Sequence, residues 1–145
     1  MDMRRPHLCA FTLLELVITL AIVAVLAVFA VPSYRNQIAR THRVDAASAL
    51  MRAAQFVEGA ASTGTIALPP GFDRAPQSGT AVYHLRVLPA DDTNGGYSIE
   101  AAPDDAGPMR DDPCGVFTLD ATGLRSNRNG ANGSAPLAAE CWGTG

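Results

Sequence analysis

The chain has 145 residues and a formal net charge of −3, with 11 arginines, no lysine and 14 acidic residues. This length suits one domain of ordinary size. The mildly acidic balance argues against a protein that binds nucleic acid over its whole surface and favours an ordinary water-exposed exterior.

The most distinctive stretch comprises residues 11–31 and reads FTLLELVITLAIVAVLAVFAV. The apolar run from Leu16 to Val31 has sixteen residues, and only Thr19 interrupts it. This run is shorter than the roughly 18–20 residues that a membrane-spanning helix needs. Extending the helix back to Phe11 makes it long enough, but it brings Glu15 inside. A carboxylate there costs on the order of 2–3 kcal/mol and usually has a partner. The sequence therefore predicts a membrane helix that carries one functional acid near its start.

A short basic leader precedes this stretch, and the junction reads AFTLLELVITLA. This arrangement resembles the class III signal of type IV pilins and pseudopilins. The resemblance implies that a prepilin peptidase cuts between Ala10 and Phe11 and methylates the Phe11 amine. It also implies that Glu15 pairs with the Phe11 amine of a neighbouring subunit, and that Pro32 is the helix-kinking proline of the family. Pilins normally carry Gly where this chain has Ala10, which implies slower cleavage.

The cysteine count supports the same cut. Cys9 would leave with the leader, and Cys114 and Cys141 would remain, with 26 residues between them. A bridge between them could stabilise the fold by roughly 3–4 kcal/mol, and such bonds persist in oxidising compartments such as the periplasm. The pair resembles the disulfide-bounded C-terminal region of type IV pilins, and CGVFTLD with a terminal CW is most similar to small minor pilins of the PilE type. Trp142 is interpreted as packing over the bridge, with contact to a partner as the alternative.

The spacing of apolar residues in the stretch 33–59 predicts that the helix continues there as an amphipathic helix. Pro32 removes one backbone donor and is expected to bend the helix without ending it, and Gly59 is a stop signal. The arginines of this stretch, including Arg43 and Arg52, are assigned to the water-facing side. The face expected to pack on a sheet comprises Ile38, Val44, Ala47, Leu50, Met51, Ala54 and Val57.

The remainder alternates between strand-like and turn-forming stretches. In TAVYHLRVL, His84 and Arg86 fall on one face of a strand, and Tyr83 and Leu85 fall on the other. The predicted strands and loops are, in order, loop 60–79, strand 80–88, turn 91–96, strand 97–101, loop 103–113, strand 115–120, strand 124–126 and a polar, mobile segment 127–136. The predicted fold class is α+β, with a long N-terminal helix packed on a small antiparallel sheet, as in the pilin fold.

The sequence gives weaker support for metal-binding, DNA-binding or catalytic residues. Acidic loops at residues 91–94 and 104–112 could bind calcium, as in some major pseudopilins, but they lack EF-hand spacing, and no metal is predicted. Arg125 and Arg128 could contact DNA phosphates, as suggested for DNA-uptake pilins, although two arginines on a loop are usually just solvated. His42 and His84 have no recognisable catalytic context, so neither a catalytic residue nor a cofactor is expected.

The resemblance implies a structural subunit, a minor rather than a major pilin, of a type IV pilus used for adhesion, twitching motility or DNA uptake. The expected organisation is a leader at residues 1–10, a membrane or filament-core helix at 11–32 and a globular head at 33–145. The helix would cross the inner membrane once, with its N-terminus cytoplasmic and its head periplasmic, before entering an extracellular filament. Expected partners are other pilin subunits, the prepilin peptidase, the inner-membrane assembly platform and membrane lipid, with nucleic acid less favoured.

Two alternatives remain open from the sequence. One is a pseudopilin of the type II secretion system, which the two C-terminal cysteines disfavour. The other is a membrane-anchored DNA-binding or adhesin module that does not polymerise.

Overall fold

The structure, a computed structural model, describes residues 11–60, 67–128 and 138–143. The chain divides into two compact units, one ending at Gln37 and the other running from Ile38 to Gly145. A single helix, α1 (Leu13–Ala60), contributes residues to both units.

The first unit consists of the apolar part of α1. Thr12 caps the helix, because its side-chain Oγ1 accepts a hydrogen bond from the backbone N–H of Glu15 at 3.2 Å. Residues 11–37 are all exposed. An 18-residue window of α1 has a mean hydropathy of 2.8 with none of it buried, so by length and composition this helix could cross a membrane. The helix continues through Pro32.

The second unit is built on a five-stranded antiparallel sheet in which each strand pairs with the next in the chain. The strands are β1 (Arg74–Ala75), β2 (Tyr83–Leu88), β3 (Ser98–Pro103), β4 (Val116–Asp120) and β5 (Arg125–Arg128). A short helix, α2 (Ala138–Trp142), follows near the C-terminus. The α+β fold class is therefore confirmed.

The predicted elements differ from the observed ones in three places. The predicted loop 60–79 contains the two-residue strand β1, and the short helix α2 was not predicted. The predicted mobile segment 127–136 begins inside β5, whereas its residues 129–136 lie outside the described part of the chain. Elements this short carry too little periodicity to be seen in a sequence.

One face of the sheet packs against α1. The buried residues of α1 recur at helical spacing, which defines a single stripe of Ala46, Ala49, Leu50, Ala53 and Val57. Their largest buried counterparts on the sheet are Tyr83, Ile99 and Phe117. Three alanines in this stripe allow the helix to lie close to the sheet.

The predicted apolar face of α1 was wrong at two residues. Ile38 is 39% exposed and Val44 is 54% exposed. Val44 lies off the buried stripe, and Ile38 precedes Ala46, the first residue of the stripe, by more than two helical turns. Ala47, Met51 and Ala54, also predicted on this face, lie at the edge of the core and are partly buried.

Candidate functional site

The outer face of the sheet, opposite α1, carries a row of polar side chains. The strand register aligns Arg86 of β2, Glu100 of β3, Thr118 of β4 and Ser126 of β5 across the sheet. The neighbours of Glu100 along β3, Ile99 and Ala101, point into the core and are fully buried. The alternation of a strand therefore places Glu100 on the outer face.

Glu100 joins two arginines on this face, and we call Arg86, Glu100 and Arg128 the arginine cluster. The Nε and Nη2 atoms of Arg86 donate to Oε2 of Glu100 at 3.1 and 2.7 Å. The Nη2 atom of Arg128 donates to Oε1 at 2.8 Å. The two arginine side chains are 64% and 63% exposed, whereas the Glu100 side chain is 8% exposed. Two guanidinium charges thus lie over one carboxylate, leaving a local excess of one positive charge.

The other basic groups of this face are paired one to one. Arg74 binds Asp73 through Nε and Oδ1 at 3.1 Å, and His84 Nε2 lies 2.8 Å from Asp104 Oδ2. The hydrogen bond from His84 helps to hold the pKa of Asp104 below its usual value, and the one from Arg74 does the same for Asp73. Among the described residues of this outer face, the arginine cluster is therefore the place where positive charge exceeds negative charge.

Arg125, which the sequence grouped with Arg128, lies elsewhere. Residues three apart in a strand point to opposite faces. The Arg125 guanidinium lies 5.6 Å from the ring centroid of Trp142, and the Trp142 ring packs edge-on against buried Phe117. The structure therefore pairs Arg128 with Arg86 rather than with Arg125.

The disulfide Cys114–Cys141 is present and buried. It connects the loop before β4 to α2. The Asn127 side chain of β5 donates from Nδ2 to the Cys114 carbonyl oxygen at 3.3 Å and lies 3.5 Å from Cys141 Sγ. The bridge thus helps to hold β5, and the buried position of Trp142 agrees with the packing interpretation.

Comparison with known proteins supplies the family. No curated protein matches the chain. Residues 32–118, more than half of the chain, match a family described as "Type IV minor pilin ComP, DNA uptake sequence receptor". The chain belongs to this family of type IV minor pilins. The match includes Arg86 and Glu100 and ends before Arg128, and the family is structural rather than enzymatic.

In this minor pilin the residues of the predicted assembly motif fall at the start of α1. Glu15 lies in the first helical turn, where a negative charge is favoured by the helix dipole. Phe11 is 79% exposed. Ala10 lies outside the described residues. Cleavage, methylation, the Glu15 pairing and the bend at Pro32 stay predictions.

Several carboxylates of the acidic loops of the minor pilin make internal contacts. Asp91 Oδ1 accepts hydrogen bonds from the backbone N–H groups of Thr93 and Asn94 at 2.7 and 2.8 Å. The single Nε–H of Arg43 is shared between Oδ1 and Oδ2 of Asp112, at 3.2 and 2.9 Å. Among the described residues, no group of three or more His, Cys, Asp or Glu side chains is placed to hold a metal. Arg43, predicted to face water, is half-buried in this ion pair.

A polar cleft of about 400 Å³ lies on the other side of the sheet, between the last turns of α1 and the β4–β5 turn. Tyr97 donates from its hydroxyl to Glu58 Oε1 at 3.1 Å within it. Burial, followed by this contact with Glu58, raises the pKa of Tyr97 to about 12. The cleft is separate from the arginine cluster.

Sequence reasoning missed Arg86 and Glu100 as functional residues. The alternation correctly grouped Arg86 with His84 on one face of the strand, but it could not show which residue of β3 lies opposite Arg86. The pairing depends on hairpin register, and a slip of one residue would bury Arg86 and expose its neighbours. The signals that could have indicated this ion pair were an Arg in the predicted strand 80–88 and a Glu in the next predicted strand, 97–101.

Proposed function

We propose that this minor pilin is a membrane-anchored pilus subunit whose head binds duplex DNA during uptake. The observation that carries the proposal is the match of residues 32–118 to a family described as DNA uptake sequence receptors. The same match favours a pilus subunit over a secretion pseudopilin.

The arginine cluster supports a local DNA interface. Without residues 1–10 the chain would carry 9 basic and 13 acidic residues, so DNA must bind to a patch and not to the whole surface. Arg86 and Arg128 are both largely exposed and share one carboxylate. Arginine side chains are the usual donors to backbone phosphates.

Replacing both arginines with alanine, R86A with R128A, should weaken DNA binding roughly tenfold to a hundredfold, because two charge-assisted contacts are lost. The negative slope of log association constant against log salt concentration should also decrease in magnitude by about two. Fluorescence anisotropy of the full chain in detergent micelles, titrated into a labelled duplex, measures both quantities.

The matched control is Arg110→Ala. Arg110 is 61% exposed and pairs with its neighbour Asp111 through Nε and Oδ2 at 3.0 Å, so the control removes a similar charge away from the sheet. Equal weakening by Arg110→Ala would show that only net charge matters. Comparing a duplex that carries the most over-represented short repeat of the host genome with its shuffled version tests sequence preference. Failure of the unmodified chain to bind either duplex would contradict the proposal.

The membrane segment supplies the second part of the proposed function. The prepilin peptidase cuts between Ala10 and Phe11 and methylates Phe11, and the helix of residues 11–32 waits in the inner-membrane lipid with the head, residues 33–145, in the periplasm. The assembly platform then adds the subunit to a filament of other pilins. Apolar side chains exposed along α1 support this proposal, since so much apolar surface needs lipid or neighbouring subunits around it.

Glu15→Val should leave the protein in the membrane and remove it from filaments, because the Phe11 amine of the neighbouring subunit would lose its proposed partner. The measurement is the intact mass and amount of the protein in sheared filaments and in the inner-membrane fraction. The unmodified protein in filaments should lack residues 1–10 and carry one methyl group. Normal recovery of the Glu15→Val variant in filaments would remove the assembly role of Glu15.

A further inference from the structure

The carboxylate of Glu100 has an unusual place for an acid in a DNA-binding surface. Its side chain lies on the outer face of the sheet and is only 8% exposed, because two arginine side chains cover it. One comes from the adjacent strand β2, and the other comes from the edge strand β5, across β4. Each carboxylate oxygen accepts from a different arginine.

This geometry restricts what the two guanidinium groups can reach. They are held 2.7 to 3.1 Å from a carboxylate that itself lies close to the sheet. The major groove of DNA is about 8.5 Å deep and admits a helix or a two-stranded ribbon, whereas this sheet has five strands. A side chain on its face would therefore have to project well beyond the sheet to reach base edges. Arg86 and Arg128 instead lie along the surface, where backbone phosphates would be met first.

The two guanidinium groups also keep donors for a second acceptor. An arginine has five N–H donors in a planar fork, and the contacts with Glu100 use two nitrogens of Arg86 and one of Arg128. A single carboxylate cannot neutralise both charges. The cluster can therefore hold a further anion without first breaking the ion pairs.

We propose that Arg86, Glu100 and Arg128 form a clamp for the DNA backbone phosphate, in which Glu100 is the positioning residue. This inference rests on the proposed DNA-binding function. The clamp provides affinity without sequence preference, and Glu100 orders two flexible side chains before DNA arrives. Ordering them in advance reduces the entropy lost on binding.

The two possible roles of Glu100 predict opposite effects on DNA binding when its charge is removed. If it only adds negative charge near the DNA, its neutralisation should strengthen binding. If it positions the arginines, Glu100→Gln should weaken binding, because the glutamine amide has one acceptor oxygen and its NH₂ group cannot accept from the second arginine.

The expected result for Glu100→Gln is a roughly threefold to tenfold loss of affinity that is equal for the repeat-bearing and shuffled duplexes. The slope of log association constant against log salt concentration should decrease in magnitude by about one. The assay is the same anisotropy titration with the full chain in micelles. Glu58→Gln is the matched control: Glu58 lies on α1, away from the outer face, and a glutamine there can still accept from Tyr97. This control should bind DNA as the unmodified chain does.

A second variant covers the case in which Glu100→Gln does not fold. Glu100→Asp keeps the charge but shortens the side chain, so it should also weaken binding, whereas a purely electrostatic role predicts no change. Unchanged or tighter binding in the variants that fold would overturn the clamp. If the unmodified chain binds DNA and R86A with R128A does not, while both Glu100 variants bind normally, the inference fails and the proposed function stands.

Discussion

Replacing both bridged cysteines, C114S with C141S, should lower the free energy of unfolding by about 3–4 kcal/mol. The bond joins residues 27 apart in sequence, so its loss frees a loop of ordinary length in the unfolded chain. It should also loosen α2, a five-residue helix too short to be stable alone. Trp142 would then leave its contact with Phe117, whose ring centroid lies 5.4 Å away.

Trp142 is the only tryptophan of the chain, so its fluorescence during urea unfolding reports on this region directly. The unmodified protein with reductant should unfold at the same urea concentration as the double variant without it. Cys9→Ser, in the proposed leader, is the matched control and should unfold as the unmodified chain does. Equal stability of the double variant and the unmodified protein would mean that packing alone holds α2.

Asp112→Ala should destabilise the head by about 2–3 kcal/mol, at or below the roughly 3–5 kcal/mol typical for breaking a fully buried ion pair, because Arg43 stays partly exposed. The Asp112 side chain is 4% exposed, and Arg43 Nη2 lies 2.9 Å from its Oδ2. Its Oδ1 also accepts the backbone N–H of Cys114 at 3.0 Å. Loss of the carboxylate would leave Arg43, which is 22% exposed, partly buried without its partner.

The neighbouring residue provides the control for this prediction. Asp111 is 87% exposed and pairs only with an exposed arginine among its described contacts, so Asp111→Ala should change stability by less than about 0.5 kcal/mol. Urea unfolding of both variants measures the difference. A loss for Asp112→Ala no larger than that for Asp111→Ala would mean that the ion pair contributes nothing net.

The disulfide and the Asp112 ion pair both help to hold the part of the sheet that carries the arginine cluster. Arg128 belongs to β5, and the adjacent Asn127 hydrogen-bonds to the Cys114 carbonyl oxygen. Asp112 holds the backbone of the same cysteine and connects it to α1. Variants that loosen this region should therefore weaken DNA binding as well as stability, although they touch no proposed DNA contact.

Several features of this minor pilin could be predicted from the sequence because they depend on neighbouring residues. The apolar run ending near Pro32 predicts the apolar part of α1, which is exposed in the structure. Alternation in β2 predicts that His84 and Arg86 share one face and that Tyr83 and Leu85 share the other, and the structure exposes the first pair and buries the second. The pilin-like motif and the cysteine count also predicted the bridge that the structure contains.

The tertiary structure alone decided which distant residues meet. Arg86 and Glu100 are 14 residues apart, Glu100 and Arg128 are 28 apart, and Arg43 and Asp112 are 69 apart. Their contacts depend on strand register and on how close the alanine stripe of α1 lets the helix approach the sheet. The sequence by itself determined the apolar part of α1, the alternation of β2 and the cysteine pair, because local periodicity and covalent chemistry encode them. Only the folded sheet brought two arginines over one carboxylate, because such contacts depend on the packing of the whole head.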